Sequence, residues 1–374
     1  MQALSSDPSV RVELVAVDSE QDKRSLSTAD FVRGQGFEPR DVTWLDSMAG
    51  DPESGLSLAL FYDPWDGLRP AAASPLALAN RGVRIAYVPY GNNVGDGPKI
   101  RKMAYDLPTH RLAWRAFARS ERQRDMYGRY CATGNRHVQA LGLPKFDRVV
   151  ALRRRTPPRR GPLTVLWNPH FTLGSGGWST FDRFLGPLVE WAADNPGVRL
   201  IIRPHFRLFH DLPHLGQDGA TLLNIMTKAP RAFPNITLDE SADYLDSFAE
   251  ADALISDTSS LISEFTLTEK PILYLHREDG PGINEDAQYF FETAVASDWA
   301  GVEGFLARLS REIGDVRAGE DPGHKRRELL VNRHFPLEDG GAGARIAAHI
   351  AGALATERKA ATPTGAGQQT IGQT

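Results

Sequence analysis

Short apolar bursts alternate along the chain with longer amphipathic stretches. In the first half, these bursts predict buried strands at residues 12–17, 56–62 and 83–88. Residues 108–130 carry scattered apolar side chains among many Arg and Glu, which predicts one long amphipathic helix with a charged outer face. Because strands that alternate with helices favour a parallel sheet, we expect the first half to form an α/β domain.

A second series of strands and helices follows an arginine- and proline-rich stretch at residues 153–162, whose composition is typical of a domain linker. Strands are predicted at residues 164–167, 198–202, 253–256 and 272–275, and helices at 180–193, 244–251 and 259–268. The predicted organisation is an acceptor-side domain at 1–152, a linker at 153–162, a nucleotide-donor domain at 163–335, a helix at 336–355 and a disordered tail at 356–374.

The composition excludes several classes of protein. The net charge of −4 argues against nucleic-acid binding, because such proteins neutralise phosphates with a surplus of Lys and Arg. Cys131 is the only cysteine, so an intramolecular disulfide is excluded and a reducing compartment is expected. The chain shows no secretory signal and no uncharged apolar run of about 18 residues. We therefore expect a cytoplasmic protein, with peripheral contact at the inner face of the plasma membrane left open.

Three loops of the second half could carry chemistry, because ligands of open α/β sheets bind beyond the carboxyl ends of the strands. The first loop has four candidate donor-binding residues: Asp257, Thr258, Ser259 and Ser260. The hydroxyl groups of the last three and the helix start favour a phosphate, although a plain serine N-cap is the alternative. Glu264, one turn later, could accept two hydrogen bonds from a ribose diol or simply be solvated.

The second loop places Arg203, His205 and Arg207 directly after a strand, which suits a diphosphate, with His205 donating to the transferred group or the leaving oxygen. In the third loop, His170 either faces the same cleft or only holds the loop. The first half adds candidate acceptor-side residues at its own strand ends, Asp66, Gly91 and Asn92, and a catalytic candidate, Tyr90, although these loops could equally be only turns. No carboxylate cluster suggests Mg²⁺, so neither a metal nor a cofactor is expected.

Several motifs, taken in order, resemble the CDP-glycerol glycerophosphotransferase family of teichoic-acid polymerases and primases. The resemblance covers about residues 87–346. It rests on Gly142-Leu143-Pro144-Lys145-Phe146-Asp147, Arg203-Pro204-His205, Ser256-Asp257-Thr258-Ser259-Ser260, Asp339-Gly340 and Arg345-Ile346, which are similar to the family's G-x-P-R-x-D, R-P-H, S-D-Y-S-S, D-G and R-I. It implies the GT-B fold, in which two Rossmann-like domains face each other across a nucleotide cleft.

The resemblance also implies a reaction. A hydroxyl of a cell-envelope glycan or lipid-linked acceptor would attack a CDP-activated polyol and expel CMP, with His205 and the serine pair engaging the donor phosphates. The family usually has a His-Gly pair whose histidine is the base, and this chain has Tyr90-Gly91 at that position. Because tyrosine, with a pKa of about 10, is a poor base, His170 is our candidate proton acceptor unless the acceptor or the chemistry differs.

Two other classes of function stay open. Residues 257–260 with Glu264 and Lys270-Pro271 are also similar to a run in the non-hydrolysing UDP-GlcNAc 2-epimerases and in GT-B glycosyltransferases. That similarity implies a nucleotide-sugar donor. The absence of the His-Gly histidine leaves a non-catalytic nucleotide-binding protein as the remaining alternative.

Overall fold

The computed structural model describes residues 2–17, 27–48, 56–155, 161–294 and 301–361. Its strands are β1 Leu58–Phe61, β2 Arg84–Tyr87, β3 Ala113–Ala118, β4 Val138–Ala140, β5 Leu163–Asn168, β6 Val198–Ile202, β7 Ile236–Leu238, β8 Ala253–Ser256 and β9 Ile272–Tyr274. They form two separate parallel sheets, with orders β1-β2-β3-β4 and β7-β6-β5-β8-β9.

Helices connect the strands, as parallel pairing requires. They are α1 Gln2–Ser5, α2 Thr28–Gly34, α3 Thr43–Met48, α4 Pro75–Ala79, α5 Pro98–Tyr105, α6 Pro108–Arg111, α7 Glu121–Tyr130, α8 Pro144–Arg155, α9 Phe181–Asp194, α10 Phe206–Asp211, α11 Gly216–Ala232, α12 Leu245–Glu250, α13 Ser260–Phe265, α14 Gln288–Thr293, α15 Val302–Arg317, α16 His324–His334 and α17 Ala342–Ala361. In the described part of the chain, no helix is both long and apolar enough to span a bilayer.

The first sheet differs from the prediction in two places. Residues 12–17 form only a single bridge, between Val15 and Arg40, so the predicted strand there is wrong. The long helix predicted at 108–130 is also wrong, because this stretch forms α6, β3 and α7. The β3 side chains from Ala116 onward are fully buried, and the Ser120 hydroxyl then accepts the Gln123 N–H to start a new helix.

The second sheet is covered by helices on both faces, so its central strands are apolar throughout. All six residues of β5 are buried. Because successive side chains point to opposite faces, Val165 and Trp167 contribute to one core with α9, while Leu166 packs into the other with α13. The predicted strands and helices of this half agree with the structure within one or two residues, except that α13 continues as a short 3₁₀ turn. The prediction lacks β7 and five helices of this half, α10, α11, α14, α15 and α16.

The predicted linker and tail are partly helical. α8 continues to Arg155, so residues 153–155 are not a linker, and residues 156–160 lie outside the described residues. α17 continues to Ala361, which contradicts the disordered tail for residues 356–361, while residues 362–374 lie outside the described residues. The apolar side of α17 packs against the first sheet, with Ile350 and Leu354 in one cluster with Phe117. The remaining domain boundaries stay predictions.

A buried ion cluster joins the two halves of the chain. Arg119, at the end of β3, is 1% exposed and bonds the carboxylates of Asp286 and Glu338. Its guanidinium also lies 4.9 Å from the centre of the Phe290 ring. Because a buried cation is costly without such partners, this cluster fixes the end of β3 to the second half.

Candidate functional site

Three loops of the second sheet meet because β6, β5 and β8 are neighbours in the strand order. The His205 N–H donates to the Pro169 carbonyl at 3.1 Å, which joins the loops after β6 and β5. The His170 N–H donates to Asp257 Oδ2 at 2.8 Å, which joins the loops after β5 and β8. The structure therefore brings together the three loops that the sequence identified as candidates.

Asp257 connects these loops by hydrogen bonds from inside the protein. It is fully buried, and its Oδ1 accepts hydrogen bonds from the Thr180 N–H and hydroxyl at 3.2 and 2.5 Å. Burial raises the pKa of Asp257 to about 7, although the hydrogen bonds from Thr180 and His170 oppose the rise. Its carboxylate is occupied by protein donors, so the predicted direct contact with a donor phosphate does not fit this geometry.

The surroundings of His170 determine which ring nitrogen carries the proton. The Thr172 N–H donates to His170 Nδ1 at 3.2 Å, and the Thr172 hydroxyl, which accepts the Trp178 N–H, lies 2.8 Å from the same nitrogen. We therefore assign the proton of the neutral ring to Nε2. Burial, followed by the positive charges of His205 and Arg207, lowers the pKa of His170 to about 3.

His170 is consequently a hydrogen-bond donor at neutral pH. A general base works best when its pKa is near the working pH, and about 3 is far below that. The role of proton acceptor that we predicted for His170 is therefore not supported by its environment.

His205 presents its ring in a similar way. Its Nδ1 accepts the Arg207 N–H at 3.3 Å and caps α10, and its ring centre lies 5.8 Å from that of His170. In the neutral ring, Nε2–H is the donor. The Arg207 guanidinium lies 4.3 Å from the Phe171 ring centre, and its side chain is half exposed beside these rings.

Arg203 does not face the same cleft. Its guanidinium donates to Asp239 Oδ2 at 2.6 Å, to the Ser241 hydroxyl at 3.0 Å and to the Ser241 carbonyl at 2.7 Å. These partners follow β7, at the edge of the sheet. The predicted contact between Arg203 and a diphosphate is therefore not supported, because NH1 and NH2 of this guanidinium hold the loop after β7.

The hydroxyl residues after β8 have different roles. Thr258 is buried, and its hydroxyl lies 2.6 Å from the Tyr274 hydroxyl, so it is occupied within the protein. The Ser259 hydroxyl accepts the Leu261 N–H at 3.2 Å and is the N-cap of α13. Ser259 and Ser260 are half-buried, and a capping serine still has its hydroxyl proton to donate.

Glu264 is the least expected member of the site. Its side chain is fully buried, and two side chains face its carboxylate. The Lys145 ammonium lies 3.0 Å from Oε1. The Tyr244 hydroxyl is buried beside the same carboxylate, since burial and then the negative charge of Glu264 raise the pKa of Tyr244 far above its ordinary value.

Sequence reasoning missed Lys145 and Tyr244 as site residues. Lys145 lies within the Gly142–Asp147 motif, at the position of the family's arginine, and that motif could have identified it. Tyr244 follows β7 with no motif around it. The Lys145 ammonium is also 6.0 Å from the ring centre of Tyr90 and 5.2 Å from that of Tyr244, so it lies between the two halves of the site.

The acceptor-side candidates lie across from Lys145. Half of Tyr90 is exposed, but burial and the charges of Asp63 and Glu264 raise the pKa of its phenol, so it stays protonated. Gly91 lies beside the Lys145 ammonium, because a Cβ placed there would be 4.0 Å from Nζ, an ordinary van der Waals contact. Tyr90 is thus a hydrogen-bond donor and not a base.

The remaining motif residues form a group of hydrogen bonds between the start of α8 and the start of α17. Asp147 accepts hydrogen bonds from the backbone N–H groups of Ala342 and Gly343 at 3.1 and 2.7 Å, at the start of α17. Arg345 pairs with Asp339 at 2.9 Å and donates to the Leu141 carbonyl. Asp147, Asp339 and Arg345 therefore hold the start of α8 against α17.

No group of three or more His, Cys, Asp and Glu side chains with the arrangement of metal ligands occurs within the described ranges. The expectation that the protein needs no metal stays a prediction.

Comparisons with known proteins agree on the architecture. No protein-family model matches the chain, and no curated protein does. The chain is similar in structure to a UDP complex of S. aureus MnaA, with 13% identity, 95% of this chain and 92% of the other covered, and a TM-score of 0.60. It is also similar to a UDP-N-acetylglucosamine 2-epimerase, with 12% identity, 95% of this chain and 91% of the other covered, and a TM-score of 0.64. A variant of the wall teichoic acid polymerase TagF matches with 11% identity, 82% of this chain and 75% of the other covered, and a TM-score of 0.50.

At these identities the similarity shows the fold. The chain has the GT-B fold, with two facing Rossmann-like α/β domains, which confirms the predicted fold class.

Proposed function

We propose that the protein is a transferase that moves glycerol phosphate, or another polyol phosphate, from a CDP-alcohol to a hydroxyl of a cell-envelope acceptor. The observation that carries the proposal is the buried carboxylate of Glu264, which is faced by two side chains, the Lys145 ammonium at 3.0 Å and the Tyr244 hydroxyl. A carboxylate has about four lone-pair sites, so these two partners leave room for two more donors from a ligand. The vicinal diol of a ribose supplies two, so we assign the nucleoside of the donor to this carboxylate.

The phosphates of the donor would then reach the loops after β5 and β6. His170 and His205 offer N–H donors there, and Ser259 and Ser260 offer hydroxyl protons. Lys145, whose ammonium is paired with Glu264, lies between the two halves of the site. Fixed donors around developing phosphoryl charge lower the barrier of phosphoryl transfer, which is mainly a matter of positioning and electrostatics.

The proton of the attacking hydroxyl needs an acceptor other than Tyr90 or His170. Asp66 is the candidate, because it follows β1 on the acceptor side and burial raises its pKa above the ordinary value. A carboxylate with a raised pKa is a better base at neutral pH than an ordinary aspartate. As the phosphorus–oxygen bond to the acceptor forms, the hydroxyl proton would pass to Asp66 and CMP would leave.

A nucleotide-sugar enzyme is the alternative, and one of its supporting residues has another explanation. The Lys270 ammonium donates to the carbonyls of Phe248 and Ala251 at 2.9 and 2.5 Å, which closes the end of α12. The Lys-Pro pair is therefore explained by packing. A nucleotide-sugar donor is therefore one of the outcomes that the titration below distinguishes.

The test is calorimetric titration with CDP-glycerol, CDP, CMP, UDP-GlcNAc and UDP, followed by an assay of CMP release in the presence of a glycerol-phosphate acceptor. Glu264→Gln should weaken binding of cytidine nucleotides at least about 10-fold, because a hydrogen bond to a charged group contributes about 1.5–3 kcal/mol. Glu328→Gln, on the exposed face of α16, is the matched control. Binding of UDP-GlcNAc without binding of any cytidine nucleotide would replace this proposal by the nucleotide-sugar alternative.

The acceptors of such a reaction are glycans or lipid-linked molecules of the envelope. We therefore propose a cytoplasmic location with peripheral contact at the inner face of the plasma membrane. Co-sedimentation with vesicles that contain anionic lipid is the measurement that checks this contact.

A further inference from the structure

The loops after β1 and β2 contain buried polar atoms that have no hydrogen-bond partner within the described residues. These atoms are Trp65 Nε1 and both side-chain atoms of Asn92, together with Asp66 Oδ1 and Arg69 NH1, which face each other at 3.8 Å, beyond hydrogen-bond distance. Asn92 is 3% exposed, so its whole amide group is buried. Because buried amide groups in folded proteins are nearly always hydrogen-bonded, this concentration of unpaired atoms requires an explanation.

The two loops lie side by side. β1 and β2 pair in parallel up to Phe61 and Tyr87, and the Tyr90 N–H donates to the Tyr62 carbonyl just beyond the strands. The rings of Trp65 and Tyr90 are 5.4 Å apart between centres. The unpaired atoms therefore belong to one region at the carboxyl edge of the first sheet, where open α/β sheets bind ligands.

The mixture of unpaired atoms indicates the chemistry of the ligand. Trp65 and the Asn92 amino group are donors, whereas Asp66 and the Asn92 carbonyl are acceptors. Arg69 is paired with Asp63 and lies 3.8 Å from Asp66, so its charge is offset by two carboxylates. Such a region repels an anion, and a hydroxyl group, which both donates and accepts, matches it.

We infer that these loops bind the hydroxyl groups of a neutral polyol or sugar residue. The inference rests on the proposed function, in which a polyol or glycan is a substrate. Tyr90 lies between this region and Lys145, so a polyol bound here is next to the proposed nucleotide site. The polyol belongs either to the acceptor or to the donor alcohol, and both have the same hydroxyl chemistry.

The first experiment is saturation-transfer NMR with ribitol, N-acetylglucosamine and glycerol 3-phosphate as probes of the full chain. We expect signals from the two neutral probes and a weaker one or none from glycerol 3-phosphate. Asn92→Leu should abolish the neutral signals, Asp66→Asn should reduce them at least about 3-fold, and Asn80→Leu on the surface should leave them unchanged. Glu264→Gln should also leave them unchanged, which separates this inference from the proposed nucleotide site.

The second experiment measures stability, because a structural asparagine and a ligand-binding one respond oppositely. Replacing an unpaired buried amide by an apolar side chain of similar shape is nearly neutral or stabilising. We therefore expect Asn92→Leu to keep or raise the midpoint of urea unfolding while it abolishes polyol binding. A lowered midpoint with unchanged polyol signals would overturn the inference, as would preferential binding of glycerol 3-phosphate.

Kinetics and calorimetry distinguish the two sources of the polyol. If the polyol is that of the acceptor, Asn92→Leu should raise the acceptor KM at least about 5-fold and leave the affinity for CDP-glycerol unchanged. If it is the donor alcohol, the same variant should weaken CDP-glycerol and leave CDP unchanged. If the acceptor KM and the affinities for CDP-glycerol and CDP were all unchanged in Asn92→Leu, the inference would be overturned.

Discussion

Replacing Asp257 by Asn should change how the stability of the protein depends on pH. Asp257 ionises with a pKa of about 7 in the folded chain, because it is fully buried, against an ordinary value of 3.8. The folded state therefore retains this proton over a pH range in which the unfolded chain has lost it, so stability falls as pH rises from about 4 to about 7. The difference between 3.8 and about 7 corresponds to about 4 kcal/mol, since one pKa unit equals about 1.4 kcal/mol.

The variant has no such ionisation. It loses acceptor capacity toward the backbone N–H groups of Thr180 and His170, which should cost about 1–3 kcal/mol at all pH values. The free energy of unfolding of the variant relative to the native protein should therefore increase by about 4 kcal/mol between pH 4 and pH 8.

The measurement is urea unfolding of both proteins at intervals of one pH unit. Taking the difference between them cancels the titration of groups that are shared and distant from this site. Asp252→Asn is a matched control, because Asp252 is also an aspartate that bonds a backbone N–H, that of Thr164, but it is only half-buried. A difference between Asp257→Asn and the native protein that stays flat within about 1 kcal/mol across this range would refute the reasoning.

Two further predictions concern residues whose roles changed once the structure was known. His170→Ala should lower kcat at least about 10-fold. The acidic limb of its pH–rate profile should keep the native midpoint, because a group with a pKa of about 3 does not titrate there. A shifted midpoint would restore His170 as the base. Arg203→Ala should lower the free energy of unfolding by about 1–3 kcal/mol, because Asp239 loses its partner. Its nucleotide affinity, measured by calorimetry, should change less than about 3-fold. A large loss of affinity at unchanged stability would contradict this prediction.

The second sheet was predictable because its strands are buried on both faces and thus appear as continuous apolar runs, as in β5 and β8. β3 was not, because it contains Arg115 and is followed by Arg119, and these charges favoured a solvated helix. The buried state of Arg119 depends on carboxylates more than 160 residues away in sequence, at Asp286 and Glu338, and no local pattern contains that information.

In the candidate site, too, one part was predictable from the sequence and another was not. Topology predicted that the loops carrying His170, His205 and Asp257 would meet, because they follow strands of one parallel sheet. The direction of each side chain was not predictable. Arg203 and His205 are two residues apart, and only the contacts of Arg203 with Asp239 reveal that it serves the edge of the sheet.

The position of α17 has a consequence for how the chain is made. α17 covers the first sheet, with Ile350 and Leu354 against Phe117, and Glu357 bonds Trp114 across the same contact. During synthesis the first sheet therefore emerges without one of its covering layers. That layer arrives only after the whole second sheet has left the ribosome, so this apolar side of the first sheet stays uncovered until α17 is made, and exposed apolar surface of this kind is prone to aggregation.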